Sequence, residues 1–290
     1  MLKYIFPQDK PISKELFRLS FPVILSNLSR VLMSVVDVAM VGRLGAAALA
    51  ATGMGAMLFW GALSLVIGIR TGVQTVASRR LGQKKYDQCG TALHNGLFMA
   101  TVYGFPMSIA GWWLAKDFIP FFINDIKATP LTIEYSSIVF LGILFSAYSF
   151  VFQGFYTGIE KTKIHMKVSI TSNIVNVYLN AGLIYGSEGV KLFFSENAPT
   201  LTFLSYFWQW TAFPAMGVKG AAIATLVASL WMFVHYGAYL FSKQIKSRFA
   251  VLSLSVDGVM MNRQLRLAAP QGLQEMFIAV GWSMFYKIVG

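Results

Sequence analysis

The chain has 290 residues, 56% apolar and 12% charged, and its 24 Lys and Arg against 12 Asp and Glu give a net charge of +12. Soluble domains average about half apolar and about a quarter charged, so the apolar excess is more than one globular core needs and has to face lipid. The basic residues fall in alternate loops and gather on no single face, which argues against a nucleic-acid surface and fits positive charge that sets membrane orientation.

Residues 1–18 open with MLKYIFPQDKPISKE, a polar stretch with two prolines that lacks the apolar core and small-residue cleavage site of a signal peptide; it is expected to be a cytoplasmic arm. Seven apolar stretches follow, at 19–41, 49–78, 90–115, 131–158, 168–186, 218–241 and 265–290. Each reaches the roughly 20 residues that a helix needs to cross hydrocarbon. Barrel strands would alternate polar and apolar residues over about ten positions, and these runs do not. The expected fold class is an all-α polytopic membrane protein: a six-helix lobe over 19–242, a cytoplasmic linker over 243–264, and a seventh span over 265–290 that starts a second lobe. Sixteen Lys and Arg lie in the arm and in the loops after spans 2, 4 and 6, against five on the other side. That bias predicts a cytoplasmic N-terminus.

An ionisable residue at the centre of a span costs about 2.5 to 3.5 kcal/mol even on the lenient insertion scale, so the few present are informative. In span 1, Asp37 of VVDVAMVGRLG lies near the outer end. It reads either as a carboxyl that exchanges a proton or cation, or as the buried partner of Arg30, seven residues earlier on nearly the same face. Arg70 in the GIRTG of span 2 neutralises Asp37 or a substrate acid, or snorkels to water, and Gln74 adds a polar group one turn on. Cys89 is the single cysteine, so an intrachain disulfide is ruled out and the thiol reads as a spectator.

In span 5, Asn173, Asn176 and Asn180 are spaced three and four apart and share a face. Such a stripe either bonds a neighbouring helix or lines a hydrated cation pocket; Thr225 of span 6 is a further oxygen. Glycine pairs four apart, Gly68 and Gly72, Gly154 and Gly158, Gly182 and Gly186, are expected to let helix backbones approach closely. Residues 187–217 are rich in aromatics and suit an interfacial anchor, a gating lid or a short re-entrant turn. Span 7 carries Glu275 and Lys287 and runs to Gly290 without a capping signal, which reads as the start of a further bundle. His94, His165 and His235 are scattered and read as surface or packing residues. The GxSxG, HExxH and GxxxxGK patterns do not occur, so the chain is read as a non-enzyme driven by an ion gradient.

Several segments together resemble the multidrug and toxic compound extrusion (MATE) family. They are FPVILSNLSRVLMSVVDVAMVGRLGAAALAATGMG, GIRTGVQTVASRRLGQKKYDQ, FQGFYTGIEKTKIHMKVSITSNIVNVYLNAGLIYG and MGVKGAAIATLVASL, in the family's order and spacing over nearly the whole chain. The resemblance implies one bundle, plus helix 7, of a twelve-helix two-lobe antiporter. Such a protein sits in the cell (inner) membrane, acts as a monomer at full length and exports small organic cations in exchange for H+ or Na+. It implies no cofactor, and no metal beyond Na+ at Asp37. Asp37 matches the family's helix 1 carboxylate, Asn176 its helix 5 amide and Thr225 its helix 6 hydroxyl. Asn180 departs from the pattern, standing where many members have a second acid. Glu275 stands near the helix 7 acid of some members, about one turn closer to Pro270. A lipid-linked oligosaccharide flippase of the same superfamily is the alternative; its pyrophosphate would call on Arg30, Arg70 and Lys287. An inactive half-transporter is another.

Overall fold

Lipid offers a backbone no partners, so a spanning segment bonds within its own helix, and every expected span is helical here. The computed structural model describes residues 10–289; residues 1–9 of the arm and Gly290 lie outside it, as do the side chains of Lys10 and of 286–289, Lys287 included. The long helices are α1 (Lys10–Gly42), α2 (Ala46–Gly82), α3 (Tyr86–Phe122), the pair α4 (Ala128–Leu141) and α5 (Ile143–Gly158), α6 (Thr162–Asn197), α8 (Val218–Leu240) and α10 (Gly258–Val289). Short α7 (Tyr206–Gln209) and α9 (Lys243–Phe249) lie in the two longer connections. By length and apolarity α1, α2, α3 and α8 qualify as spans, and α4 with α5, bent by 49°, make one more. The expected spans at 168–186 and 265–290 coincide with α6 and α10, which carry more polar side chains, among them the asparagines of α6 and Arg263, Gln264 and Arg266 of α10.

The turns that join these helices at the basic end are built alike. Lys84 and Glu160 take the left-handed conformation, at φ 60° and 61°, and each turn closes with a bond back to the preceding helix: Lys85 N–H to Arg80 O at 3.0 Å, Lys161 N–H to Tyr156 O at 2.8 Å. Such closures satisfy carbonyls that a helix end leaves unpaired.

The glycine pairs decide how the helices meet. A Cβ at Gly72 would lie 2.5 Å from Gln264 O, and one at Gly68 would collide with Ala268 O, so α10 rests backbone to backbone on α2. On the opposite pairing, a Cβ at Gly154 would meet Arg70 O at 2.5 Å and one at Gly158 would meet Gln74 O at 2.7 Å, so α5 grips α2 in the same way. The third pair behaves differently from the helix–helix approach expected of it. Gly182 seats the Phe213 ring and Gly186, at φ 74°, breaks α6; backbone bonds from Met216 N–H to Leu183 O and from Ser187 N–H to Phe213 O stitch the returning loop to that break. Only glycine adopts this φ without a steric cost.

Of the aromatic segment 187–217, residues 187–197 continue α6 beyond this break and residues 198–217 fold back onto it. Tyr178 stacks on Trp208 with centroids 5.1 Å apart, and Trp208 Nε1–H donates to Tyr178 O at 2.8 Å. Tyr206, Phe207 and Trp210 stay exposed, as rings at a membrane interface do.

Residues 243–264, expected as a linker, are tied down along much of their length. Phe249 of α9 is buried against Tyr86 and Phe155. From α3, His94 bonds Val251 O and Ser255 N–H, while Asn95 bonds both backbone groups of Asp257. Asp257 Oδ1 then accepts from Val259 and Met260 N–H, so α10 begins at Gly258 rather than 265. An aspartate in this position satisfies helix-end donors.

Overpacking costs about 1 to 3 kcal/mol, so Gly72→Ala is expected to lower the unfolding midpoint in detergent. Gly237→Ala, on α8 where the new methyl meets no atom of another helix within 4 Å among the described residues, is expected to leave it unchanged or to raise it, since helix propensity adds roughly 0.5 to 1 kcal/mol of stability. Thermal or denaturant unfolding of the two variants beside wild type checks the contrast.

Candidate functional site

Helices α1 and α6 run side by side in the same direction. Ser29, Asp37 and Met40 on α1 face Asn173, Asn180 and Tyr185 on α6 through three hydrogen bonds. Asn173 Nδ2 donates to Ser29 Oγ at 2.7 Å, Asn180 Nδ2 to Asp37 Oδ1 at 2.6 Å, and Tyr185 Oη to Met40 O at 2.5 Å. The three-four spacing of the asparagines puts all of them on the α6 face toward α1 and α8. Asn180 Nδ2 also donates to Asn176 Oδ1 at 3.0 Å, so both of its hydrogens are used within one cluster. Asn180 is buried, and among the described residues its Oδ1 finds no donor.

This cluster opens onto a cavity of about 230 Å³ bounded by α1, α2, α5, α6 and α8. Each helix offers it a stripe at helical spacing. On α1 the stripe is Ser26, Asn27, Arg30, Met33 and Asp37; on α6 it is His165, Ser169, Ser172, Asn173 and Asn176; on α8 it is Thr225, Ser229, Met232 and Tyr236. Phe59 and Trp60 of α2 and Phe150 of α5 supply an aromatic wall. Thr225 Oγ1 donates to Ala221 O at 3.0 Å.

Of the residues singled out from the sequence, Asp37, Asn176, Asn180, Thr225 and Asn173 are brought together. The alternative pairing of Asp37 with Arg30 is not formed: Arg30 Nη2 donates to Asn27 Oδ1 at 3.3 Å, while Asp37 is taken by Asn180. Among the described residues the ion pairs are Arg18–Glu15 and Lys219–Glu134, both at exposed positions. Arg70, Gln74 and Glu275 stand outside the cavity. Arg70 sits with its Cζ 5.7 Å from the Phe150 ring centre, on the α2 side that faces α5. Gln74, one turn further, meets α5 through its backbone at Gly158. Glu275 lines a separate cavity of about 350 Å³ between α2 and α10, where Gln271 Nε2 donates to its Oε1 at 2.9 Å. Trp60 lines both cavities and so forms part of the wall between them.

The main residue that sequence reasoning passed over is His165. It is buried at the far end of the stripe from Asp37, with Nδ1 2.6 Å from Tyr236 Oη and Nε2 3.0 Å from Gln153 Nε2. The signal was available: the spacing that groups the asparagines continues backward through Ser172 and Ser169 to His165. Chemically the site combines one carboxylate able to take a proton or a cation, amide and hydroxyl oxygens around it, and aromatic faces suited to an organic cation.

The family model MatE matches residues 22–181. Among curated relatives, "Probable multidrug resistance protein NorM" of Photorhabdus laumondii is 31% identical over 179 residues, 61% of this chain and 39% of that protein. The NorM of Thermotoga maritima is 23% identical over 292 residues, 99% of this chain and 57% of that one. A solved outward-facing multidrug resistance MATE family transporter of the MOP superfamily superposes with a TM-score of 0.75 at 21% identity, over 91% of this chain and 52% of its own. At that identity the likeness shows the fold. The chain spans about half the length of the curated relatives it matches.

A hydrogen bond to a charged group contributes about 1.5 to 3 kcal/mol. The double-mutant cycle of Asp37→Ala and Asn180→Ala is therefore expected to show a coupling in that range by denaturant unfolding. Additive single effects would mean that the two side chains do not bond.

Proposed function

The chain belongs to the MatE family, and on that premise we propose that it forms one lobe of a secondary antiporter that exports small organic cations in exchange for H+ or Na+. The observation that carries this reading is the Asp37–Asn180–Asn176 cluster at the edge of the cavity. Asn180 directs both of its N–H groups to neighbouring oxygens and leaves its own oxygen buried without a donor among the described residues. A buried acceptor without a partner costs free energy, and a cation held between Asn180 Oδ1 and the Asp37 carboxylate would remove that cost. Proton or sodium binding cancels the charge of Asp37 in a low-dielectric wall, which changes how α1 and α6 pack and links the ion to release of the drug. One charge crossing 100 mV yields about 2.3 kcal/mol, sufficient for roughly a 40-fold gradient of a neutral solute.

The charge bias of the loops supports an orientation in which the N-terminus and the basic turns lie on the cytoplasmic side of the cell (inner) membrane. A flippase for lipid-linked oligosaccharide calls for a more cationic chamber. Here Arg30 is the one Arg or Lys that lines the cavity among the described residues, while Arg70 is not in its lining and lies beside the Phe150 ring. The antiporter is therefore the reading the geometry favours.

The test is efflux of a fluorescent organic cation from cells that express the complete reading frame containing this chain, under imposed proton or sodium gradients. Wild type is expected to export the dye when a gradient is applied, and Asp37→Asn to lose that dependence. Wild-type cells that never export the dye would overturn the drug antiporter and favour the flippase.

A further inference from the structure

A third cavity, of about 330 Å³, lies where α2 ends and α10 begins, well away from Asp37. Four arginines line it, Arg79 and Arg80 from α2 and Arg263 and Arg266 from α10, and no carboxylate is among its lining residues. Among the described residues none of the four forms an ion pair. Arg80 Nη1 donates to the neutral Gln83 Oε1 at 2.9 Å, which orients that guanidinium and leaves its charge uncompensated.

The cluster follows from the fold. The backbone contacts of Gly68 and Gly72 with Ala268 and Gln264 hold α2 and α10 together in antiparallel register. The helices therefore cannot spread in the next turns, and Arg79 and Arg80 are brought to the same cavity as Arg263 and Arg266. Four guanidinium groups that line one cavity with no carboxylate among them make it attractive to an anion. Met260 and Leu267 give the same cavity an apolar floor. Only α2 and α10 wall it, so it is open sideways at the rim of the bundle.

From this geometry we propose that the α2–α10 arginine cluster binds the phosphate headgroup of an anionic phospholipid. Guanidinium groups match phosphate oxygens with paired hydrogen bonds, and the apolar floor takes the glycerol and the first acyl carbons. Under the orientation proposed above, the cavity lies at the headgroup level of the cytoplasmic leaflet, which is the anionic one. The lipid would bridge the six-helix lobe and the helix that follows it, at a junction where the chain itself supplies charge of one sign. The second basic cavity at this end, lined by Arg18, Lys84, Lys161, Lys163 and Arg248, differs because Glu160 is among its lining residues and Arg248 lies over the Tyr86 ring.

The test is lipid retention by native mass spectrometry. The chain is released from nanodiscs of phosphatidylcholine with and without phosphatidylglycerol, and no transport is measured, so failure here is separable from failure of the antiporter reading. Wild type is expected to keep phosphatidylglycerol and to shed phosphatidylcholine. Each arginine near the surface contributes about fivefold in affinity, so Arg79→Gln with Arg263→Gln is expected to weaken retention roughly 25-fold. Lys161→Gln with Lys163→Gln removes the same charge from the other cavity and is expected to change it little. Equal loss in both double variants would reduce the effect to general surface charge and overturn the site. Displacement of the lipid by inorganic phosphate at equal concentration would also overturn it, in favour of a soluble anion. If the glutamine variant does not fold, Arg79→Lys with Arg263→Lys keeps the charge but loses the paired hydrogen bonds, and full retention there would likewise refute guanidinium recognition.

Discussion

Helix α2 is held by backbone-to-backbone contact on two sides, and the remainder of the bundle is arranged around it. In lipid, apolar side chains gain little by leaving one hydrocarbon surface for another, so helix association depends on close packing and hydrogen bonds. Glycines supply that closeness from both directions: Gly154 and Gly158 bring α5 against Arg70 and Gln74, and Gly68 and Gly72 admit the backbone of α10. The same contacts explain the fate of the polar residues on α2. With its carbonyls covered by α5, the helix presents Phe59, Trp60 and Leu63 to the main cavity, while Arg70 is left against the Phe150 ring.

The polar chemistry collects in the chamber bounded by α1, α2, α5, α6 and α8. Stripes of hydroxyl, amide and ionisable groups on α1, α5, α6 and α8 line one chamber, and several of them bond across to the neighbouring helix. Within it, Asp37 is held by a neutral amide and not by a cation. A buried ion pair with Arg30 would have fixed the charge and made it costly to remove. An amide partner adds no compensating charge, because Asn180 is neutral, which is the property that the antiporter proposal draws on. His165 and Tyr236, at the opposite end of the same chamber, join α6 to α8 by a hydrogen bond and a stacked ring pair. The chamber is thus closed at one end by aromatic and imidazole groups and bounded at the other by the carboxylate.

The two ends of the molecule are finished differently. At the end near Asp37, residues 198–217 of the aromatic segment fold back on α6, and Arg43 lies over the Phe193 ring at 4.6 Å. At the basic end, His94 and Asn95 lock the connection after α9 onto α3, and buried Gln264 donates to Ala92 O. That locking fixes where α10 starts and therefore which of its residues meet α2. It turns a stretch that reads as a spacer into part of the lobe.

By itself the sequence determined the helical class, the positions of the spans and the resemblance to a transporter family, because these rest on local properties: runs of apolar residues, charge bias in loops and words in a fixed order. It also put the three asparagines on one face, since the helical period alone does that. What it left open depended on partners distant in the chain. Whether Asp37 bonds Arg30, seven residues away, or Asn180, 143 residues away, is decided by the parallel packing of α1 and α6. Arg70, Gln74 and Glu275 share the polarity of the site but not its location, because glycine contacts turn α2 toward α5 and α10. The four arginines at the α2–α10 junction read along the chain as ordinary positive-inside charge, and only the close approach of two helices nearly 200 residues apart in sequence makes them one cluster.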